Sequence, residues 1–303
     1  MRKRIIIFIC FLFFCNFVLV GSKEARKSII KKTLDLLENV YISANWCRYH
    51  LGYKEFSDDD VLDEEFGWLK GWDIKLGYLH KKDYGRFWGR PFIEIYGRKM
   101  DELITYKGST QAGNPVNFKT KAKIQRWGAK FGGYRTLSPI CDIWGYFDVG
   151  RRIWLRGENE VVKQSWGEAI AYKEKYSWTY IGAGAKFEYK KHKPLLLGAD
   201  FEVLGTFKRY RRLVTYSFKG TAGGAPFSLA EYKFKLGSVW GINFELPMKY
   251  QLFNHLSLNV TPYYTYWKIN ESNKIDIGGG AYVYEPESKS KIYGVLSGFT
   301  FTF

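Results

Sequence analysis

Histidines are the side chains best suited to acid–base chemistry in this sequence of 303 residues, which contains four of them. Hydrolysis needs a base, and usually a nucleophile or a second acid within hydrogen-bond distance of it. Three of the histidines lie at predicted short turns: His80, His192 and His255. His50 instead lies in the middle of a predicted strand, beside Arg48 and Lys54. No base is therefore expected where a substrate would gather.

A run of carboxylates suggests a different chemistry, the binding of a divalent cation through oxygen ligands. Its members are Asp58, Asp59, Asp60, Asp63, Glu64 and Glu65. The run lacks the regular spacing and the glycine of a dedicated calcium loop, so we interpret it as solvated charge. No cysteine–histidine pair has metal-site spacing either. The sequence predicts no metal and no cofactor.

The N-terminus has the pattern of a secretory signal peptide. Arg2, Lys3 and Arg4 precede an apolar run that ends at Val20, and small residues follow. This run is short for a membrane-spanning helix. We predict a signal peptide over residues 1–22, followed by a periplasmic lead-in over 23–44 with a short amphipathic helix.

The remainder of the chain has the composition of a strand-rich protein. Aromatic residues make up 19%, and there are 31 glycines but only 8 prolines. Aromatic residues favour strands, and the mean hydropathy of −0.30 argues against a bundle of membrane helices. The net charge of +17 points to anionic partners.

Ten runs alternate apolar and polar residues with the period of a strand. They cover approximately residues 46–56, 68–80, 86–98, 119–135, 141–156, 172–190, 194–209, 231–249, 256–270 and 291–303. Long connections alternate with short ones such as KKDYG and KKHKP. In an up-and-down sheet this places the long connections at one end and the short ones at the other, as in a transmembrane barrel.

The last strand carries the most specific signal. Residues 293–303, YGVLSGFTFTF, place Tyr293, Phe299, Phe301 and Phe303 on one face and small or polar residues on the other. The chain resembles the bacterial outer-membrane β-barrel proteins over residues 45–303, in architecture rather than in sequence. The resemblance implies an all-β fold: a single transmembrane antiparallel up-and-down barrel of ten strands, with eight to twelve allowed. It also implies that these aromatics serve as a signal for the barrel-assembly machinery.

Enzymes of this architecture offer two comparisons. Barrel proteases similar to the omptin group place carboxylates and an Asp–His pair at the extracellular rim, where this chain has no predicted histidine. Barrel lipid hydrolases share a His-x-Ser element, which His255-Leu256-Ser257 matches. That element starts at a predicted periplasmic turn and has no obvious carboxylate partner. We assign no catalytic residue and predict a non-enzymatic protein, with a barrel hydrolase as an alternative.

Alternation assigns the polar faces of the strands to the lumen, where basic residues predominate. The candidate lumen-lining residues are Arg48, His50, Lys75, Arg90, Glu94, Arg98, Arg126, Lys130, Asp148, Arg152, Arg156, Asp200, Glu202, Lys233, Lys235 and Glu245. A ten-stranded barrel is narrow. We therefore expect either a lumen filled by ion pairs or a narrow channel that favours anions.

The predicted long loops suggest a further alternative, a surface adhesin or ligand-binding barrel. One of them is basic and carries Arg209, Arg211 and Arg212. The expected partners are outer-membrane lipid and lipopolysaccharide, a small anionic solute or a surface glycan, and not nucleic acid. Cys47 and Cys141 are both predicted to face outward, too far apart for a disulfide.

Overall fold

The computed structural model describes residues 39–57, 60–85, 89–109, 113–157, 160–171, 173–192, 194–206, 213–222 and 225–303. The predicted signal peptide and nearly all of the predicted helix lie outside these residues, as do Arg209, Arg211 and Arg212. Within the described part of the chain, no helix is both long enough and apolar enough to cross a membrane.

The chain is built from strands. In chain order they are β1 (Val40–Ser57), β2 (Asp60–Leu79), β3 (Arg90–Ser109), β4 (Pro115–Ser138), β5 (Cys141–Arg156), β6 (Glu160–Gln164), β7 (Gly167–Ala171), β8 (Lys173–Tyr189), β9 (Leu195–Gly205), β10 (Leu213–Ala222), β11 (Ala225–Lys235), β12 (Val239–Glu245), β13 (Met248–Phe253), β14 (Leu256–Ile269), β15 (Ile275–Gly278), β16 (Ala281–Val283) and β17 (Glu287–Thr302). The first strand begins inside the segment predicted as a lead-in, because Val40 already pairs with β2.

Ten of these strands close into a barrel in the order β1-β2-β3-β4-β5-β8-β9-β12-β14-β17, and β17 returns to β1. Every pair in the ring is antiparallel. β13 continues the line of β12 and pairs with both β9 and β14. The predicted ten-stranded up-and-down barrel is confirmed, and closure leaves no unpaired edge in the ring.

The seam between the first and last strands is long and continuous. It runs from Tyr41 opposite Thr302 to Phe56 opposite Glu287. A side chain at Gly294 or Gly298 would place Cβ 2.1 Å from a carbonyl oxygen of β1. Glycine at these two positions is what allows the strands to approach each other.

The two ends of the barrel differ. At one end, which we call the turn end, lie the start of β1, the end of β17 and short connections such as residues 139–140 between β4 and β5. At the hairpin end the chain forms the hairpins β6–β7, β10–β11 and β15–β16.

Much of what the sequence suggested as long loops is strand. The acidic run, for example, belongs to β2 from Asp60 onward, and Asp58 and Asp59 lie outside the described residues. The asymmetry between the ends therefore comes mainly from tall strands and added hairpins.

Candidate functional site: the barrel lumen

Strand alternation brings most of the predicted lumen residues to the inner face. Those on it are Lys75, Arg90, Glu94, Arg98, Arg126, Lys130, Asp148, Arg152, Arg156, Asp200, Glu202 and Glu245. Arg90 lies at the turn end, where its guanidinium stacks over Tyr134 at 5.3 Å. The others meet in successive layers along the barrel.

The prediction was wrong for Arg48 and His50. In β1 the lumen face carries Cys47 and Tyr49, each 0% exposed. Arg48 lies outside, over the ring of Trp68 at 5.2 Å. His50 is outside too, 5.1 Å from the ring of Tyr293. Both faces of β1 carry aromatic residues, so hydrophobicity alone does not fix the phase of the alternation.

The prediction was also wrong for Lys233 and Lys235, which are exposed, whereas Phe234 and Leu236 are each 3% exposed. The predicted strand is interrupted: β11 ends at Lys235 and β12 begins at Val239. This break changes which alternate residues face inward, so the pattern of β12 does not extend back into β11.

A first layer of ion pairs surrounds Arg98. Its Nε donates to Asp73 Oδ2 at 2.9 Å and its Nη2 to Glu245 Oε1 at 3.2 Å. The guanidinium also lies 4.3 Å from the centre of the Tyr263 ring. Asp73 is 0% exposed, so these contacts seal one part of the lumen cross-section.

A second group surrounds Arg126. Its Nη2 donates to Asp148 and to Glu202, both at 2.9 Å, and its Nε donates to the Tyr180 hydroxyl at 2.7 Å. Tyr96 donates to Asp148 Oδ2 at 2.7 Å. Charge-assisted hydrogen bonds of this kind hold side chains in fixed positions.

An aromatic layer lies next to these ion pairs. The rings of Trp178 and Trp267 have centres 5.4 Å apart, and each is 0% exposed. Arg152 stacks on both, with its guanidinium carbon 5.5 Å and 5.3 Å from the ring centres. Among the described residues Arg152 has no carboxylate partner, so cation–π contact is its main stabilisation.

A carboxylate cluster lies at the hairpin end, around Arg156. This guanidinium forms ion pairs with Glu65 at 3.1 Å and Glu174 at 2.9 Å, and a hydrogen bond with Glu55. Its Nη2 is 3.8 Å from Asp63, and the Tyr176 hydroxyl near it donates to Glu285. We call Glu55, Asp63, Glu65, Glu174 and Glu285 the carboxylate cluster.

The cluster corrects one prediction about the acidic run. Asp63 and Glu65 are not solvated: their side chains are 13% and 3% exposed and face Arg156. Glu64 does face outward, where it pairs with Lys54 at 3.4 Å. In the described part of the chain, no three His, Cys, Asp or Glu side chains are arranged to hold a metal ion.

Protons compensate part of the charge of this cluster. A strand needs about 9–11 residues to cross a membrane, so these groups, near the hairpin ends of strands of 16–20 residues, lie outside the spanning segments. Burial raises the pKa of Asp63 to about 9, and the Glu55 carboxylate adds to the effect. Burial likewise raises the pKa of Glu174 to about 8.

A small polar cavity of about 80 Å³ lies at the turn end. Four lysines line it: Lys75, Lys130, Lys186 and Lys249. Each has a carboxylate within 4.0 Å, for instance Lys75 with Glu245 at 3.5 Å. The cavity has room for several waters, and all four lysines lie near carboxylates, with Glu188 shared by Lys186 and Lys249.

The prediction of a basic lumen was wrong, because buried acidic groups outnumber basic ones. The acidic groups are Glu55, Asp63, Glu65, Asp73, Glu94, Asp142, Asp148, Glu174, Glu188, Asp200, Glu202, Glu245 and Glu285. The basic ones are Lys75, Arg90, Arg98, Arg126, Lys130, Arg152, Arg156, Lys186, Lys190 and Lys249. Three of the carboxylates that sequence reasoning missed, Asp63, Glu65 and Glu285, lie where the sequence was read as loop. Others, such as Glu55, Glu174 and Glu188, lie inside predicted strands and were not assigned to the lumen.

The candidate catalytic histidines do not meet lumen carboxylates. All four are described, and none is hydrogen-bonded to a carboxylate. In the His255-Leu256-Ser257 element, His255 Nδ1 lies 2.8 Å from the Thr302 carbonyl, and Ser257 donates to Gln251 at 3.3 Å. His255 and Ser257 thus have separate partners.

The two cysteines in the described part of the chain face opposite sides of the barrel wall. Cys47 is in the lumen, which corrects its predicted outward orientation, and Cys141 is on the outward face near a turn. They are not bonded to each other.

Comparisons with solved structures identify this architecture. The outer membrane protease OmpT from Escherichia coli is 10% identical, with a TM-score of 0.50 over 88% of this chain and 97% of OmpT. This chain has the fold of the bacterial outer-membrane β-barrels. The outer membrane is the location that this fold indicates, with the apolar outer face in lipid.

Other solved barrels match this chain with lower TM-scores. The translocator domain of the autotransporter NalP from Neisseria meningitidis is 12% identical over 92% of this chain and 95% of that one, with a TM-score of 0.35. Ail from Yersinia pestis is 10% identical over 87% and 99%, with a TM-score of 0.31. Neither a protein-family model nor a curated protein sequence matches the chain.

Proposed function

We propose that this outer-membrane barrel is a non-conducting, non-enzymatic protein whose lumen is filled by its own side chains. The observation that carries the proposal is the stack of layers across the lumen. Arg98 and Arg126 each bind two carboxylates, the aromatic layer of Trp178 and Trp267 follows, and Arg156 with its carboxylate cluster closes the hairpin end. Charge-assisted hydrogen bonds of this kind hold side chains in fixed positions.

The alternative of a narrow anion channel has less support. A pore that favours anions needs an excess of positive charge along its path. Here each cavity lysine is paired with a carboxylate, and the hairpin end holds five carboxylates around one arginine. An anion would have to displace these pairs to pass.

Conductance across a planar bilayer tests the proposal. The wild-type barrel is expected to insert without current steps. Replacing lumen residues, in the variant Arg126→Ala, Trp178→Ala and Trp267→Ala, is expected to produce steps. The control Arg48→Ala, Trp46→Ala and Trp127→Ala removes the same residue types from the outer face and should stay silent. Regular steps from the wild type would overturn the proposal, whatever the lumen variant does.

The non-enzymatic part of the proposal has its own test. Peptide, lipid and glycan hydrolysis are measured for the wild type and for His50→Ala and His255→Ala. No activity above that of a boiled sample is expected. Activity that either substitution removes would show that the protein is a hydrolase.

A second candidate is a surface ligand-binding or adhesive barrel. The length of several strands favours it. β2, β3 and β4 have 20, 20 and 24 residues, about twice what a span needs. The hairpin β6–β7 contacts the start of β4, because Trp166 Nε1 donates to the Pro115 carbonyl at 2.7 Å. Replacing residues 158–172 by a short turn should abolish binding to a glycan array if this candidate is right.

A further inference from the structure

The cavity at the turn end presents charges of both signs to its interior. Besides the four lysines, three carboxylates line it: Glu94, Asp200 and Glu245. A fourth carboxylate, that of Glu188, contacts two of the lysines. Four positive charges therefore lie beside four negative ones, and a ligand with a net charge would leave part of that charge uncompensated. The cavity suits a molecule whose own charges cancel.

Two of the lysines are held loosely by their carboxylates. Lys130 Nζ lies 3.7 Å from Asp200 and 3.8 Å from Glu202. Lys249 Nζ lies 4.0 Å from Glu188. Charge-assisted hydrogen bonds between an ammonium group and a carboxylate are shorter, at about 2.7–2.9 Å. Both ammonium groups can therefore donate to an acceptor on a ligand.

One carboxylate of the cavity lacks a basic partner. Glu94 accepts a hydrogen bond from the Tyr41 hydroxyl at 2.5 Å, and among the described residues no basic group lies within 4.0 Å of it. Glu94 lies directly opposite Lys130 in the pairing of β3 with β4, yet Lys130 contacts Asp200 instead. A ligand with an ammonium and a carboxylate group can bind Glu94 and Lys130 at the same time.

The cavity narrows toward the ion pairs around Arg98. A deeper space of about 10 Å³ shares Lys75, Glu94 and Lys130 with the cavity and reaches Arg98. The Arg98 side chain is 5% exposed, and its Nη1 has no hydrogen-bond partner in the described part of the chain. This donor and the two ammonium groups make the deep end a place for a carboxylate.

The wider part of the cavity is partly apolar. Phe92, Trp144 and Leu296 line it but not the deeper space, and the Phe92 and Trp144 rings have centres 4.8 Å apart. A volume of about 80 Å³ holds about five to eight groups the size of a water molecule. We propose that the cavity binds a small apolar α-amino acid, with its charged end at the deep end and its side chain against these rings.

Isothermal titration calorimetry of the barrel in an uncharged maltoside detergent tests this site. The probes are L-valine, D-valine and two analogues: isovalerate, which lacks the ammonium group, and isobutylamine, which lacks the carboxylate. At least one enantiomer of valine should bind, and each analogue should bind at least about tenfold more weakly because it loses charge-assisted hydrogen bonds. The proposal is overturned if neither enantiomer binds at millimolar concentrations, or if either analogue binds as tightly as valine.

Two variants assign the charged contacts. In Glu94→Gln the preference for valine over isovalerate should disappear, and in Lys130→Gln the preference for valine over isobutylamine should disappear. Asp83→Asn and Lys82→Gln, matched changes at exposed residues of a turn, should keep both preferences. Variants of Glu94 and Lys130 that bind all probes like the wild type would overturn the assignment.

The comparison of valine with its analogues uses the wild-type barrel, so it decides the proposal even where a variant fails to fold. The turn end corresponds to the periplasmic end of outer-membrane barrels, so the ligand would enter from the periplasm. Binding in a cavity that ends at the ion pairs around Arg98 does not depend on whether the lumen conducts.

Discussion

At the scale of single residues, the four buried arginines of the lumen have different partners. Arg98, Arg126 and Arg156 each bind at least two carboxylates, whereas Arg152 rests between two tryptophan rings. Removing one member of a buried ion pair leaves an uncompensated charge, which costs more than the pair contributes. The paired arginines are therefore where single substitutions should have large effects.

Arg126→Met tests this expectation. The substitution leaves Asp148 and Glu202 without their guanidinium, so the free energy of unfolding should fall by about 3–5 kcal/mol. Urea unfolding in detergent, followed by tryptophan fluorescence, measures the change. Arg48→Met on the outer face is the control and should change stability by no more than about 0.5 kcal/mol. Equal losses in the two variants would contradict the role assigned to Arg126.

At the scale of elements, closure of the ring depends on how closely β17 approaches β1. Gly294 faces the Arg48 carbonyl oxygen, which a Cβ atom would meet at 2.1 Å.

Four aromatic residues of the last strand lie on the outer face and are between 40% and 51% exposed: Tyr293, Phe299, Phe301 and Phe303. Their use as an assembly signal stays a prediction.

Gly294→Ala should therefore strain the seam. Strain from a side chain forced into a packed site typically costs about 1–3 kcal/mol, so the folded, heat-modifiable band should disappear at a lower temperature. Gly145→Ala is the matched control, because nothing lies within 4 Å of a Cβ atom there. If Gly294→Ala tolerates heat as well as Gly145→Ala does, the seam is less constrained than its geometry indicates.

At the scale of the whole molecule, charge is divided between the two faces of one sheet. Carboxylates predominate inside and lysines outside, and the carboxylate cluster makes the hairpin end sensitive to pH. The pKa of Asp63, about 9, and that of Glu174, about 8, lie well above those of carboxyls in an unfolded chain, about 4. The folded state then binds more protons than the unfolded state between these values, so stability falls as pH rises from about 4 to about 9.

Resistance to thermal unfolding should thus be greater at pH 5 than at pH 9. The double variant Asp63→Asn and Glu174→Gln should reduce this difference, because it removes two of the groups that must lose protons. Glu64→Gln, an outward carboxylate on the same wall, should leave the pH dependence unchanged. Melting curves from circular dichroism at both pH values measure it. A wild-type barrel that is more stable at pH 9 would contradict this account of the cluster.

The sequence by itself determined the architecture and much of the lumen. Period-two alternation and connections that differ between the two ends were enough to predict ten strands. The alternation also placed Arg98, Arg126, Asp148 and Glu202 correctly on the inner face. In β5 one face is apolar over most of its length, with Ile143, Phe147, Val149 and Ile153, so alternation assigns its inward residues unambiguously.

Only the tertiary structure decided the phase of β1, the break between β11 and β12, and the partners of the acidic run. β1 carries aromatic residues on both faces, so its orientation depends on pairing with β2 and β17. Carboxylates that look solvated in the sequence become buried when β2 extends beyond the membrane and Arg156 of β5 faces them across the lumen. Such partners are separated by about ninety residues, and only closure of the ring brings them together, since local patterning carries no information about contacts across the barrel.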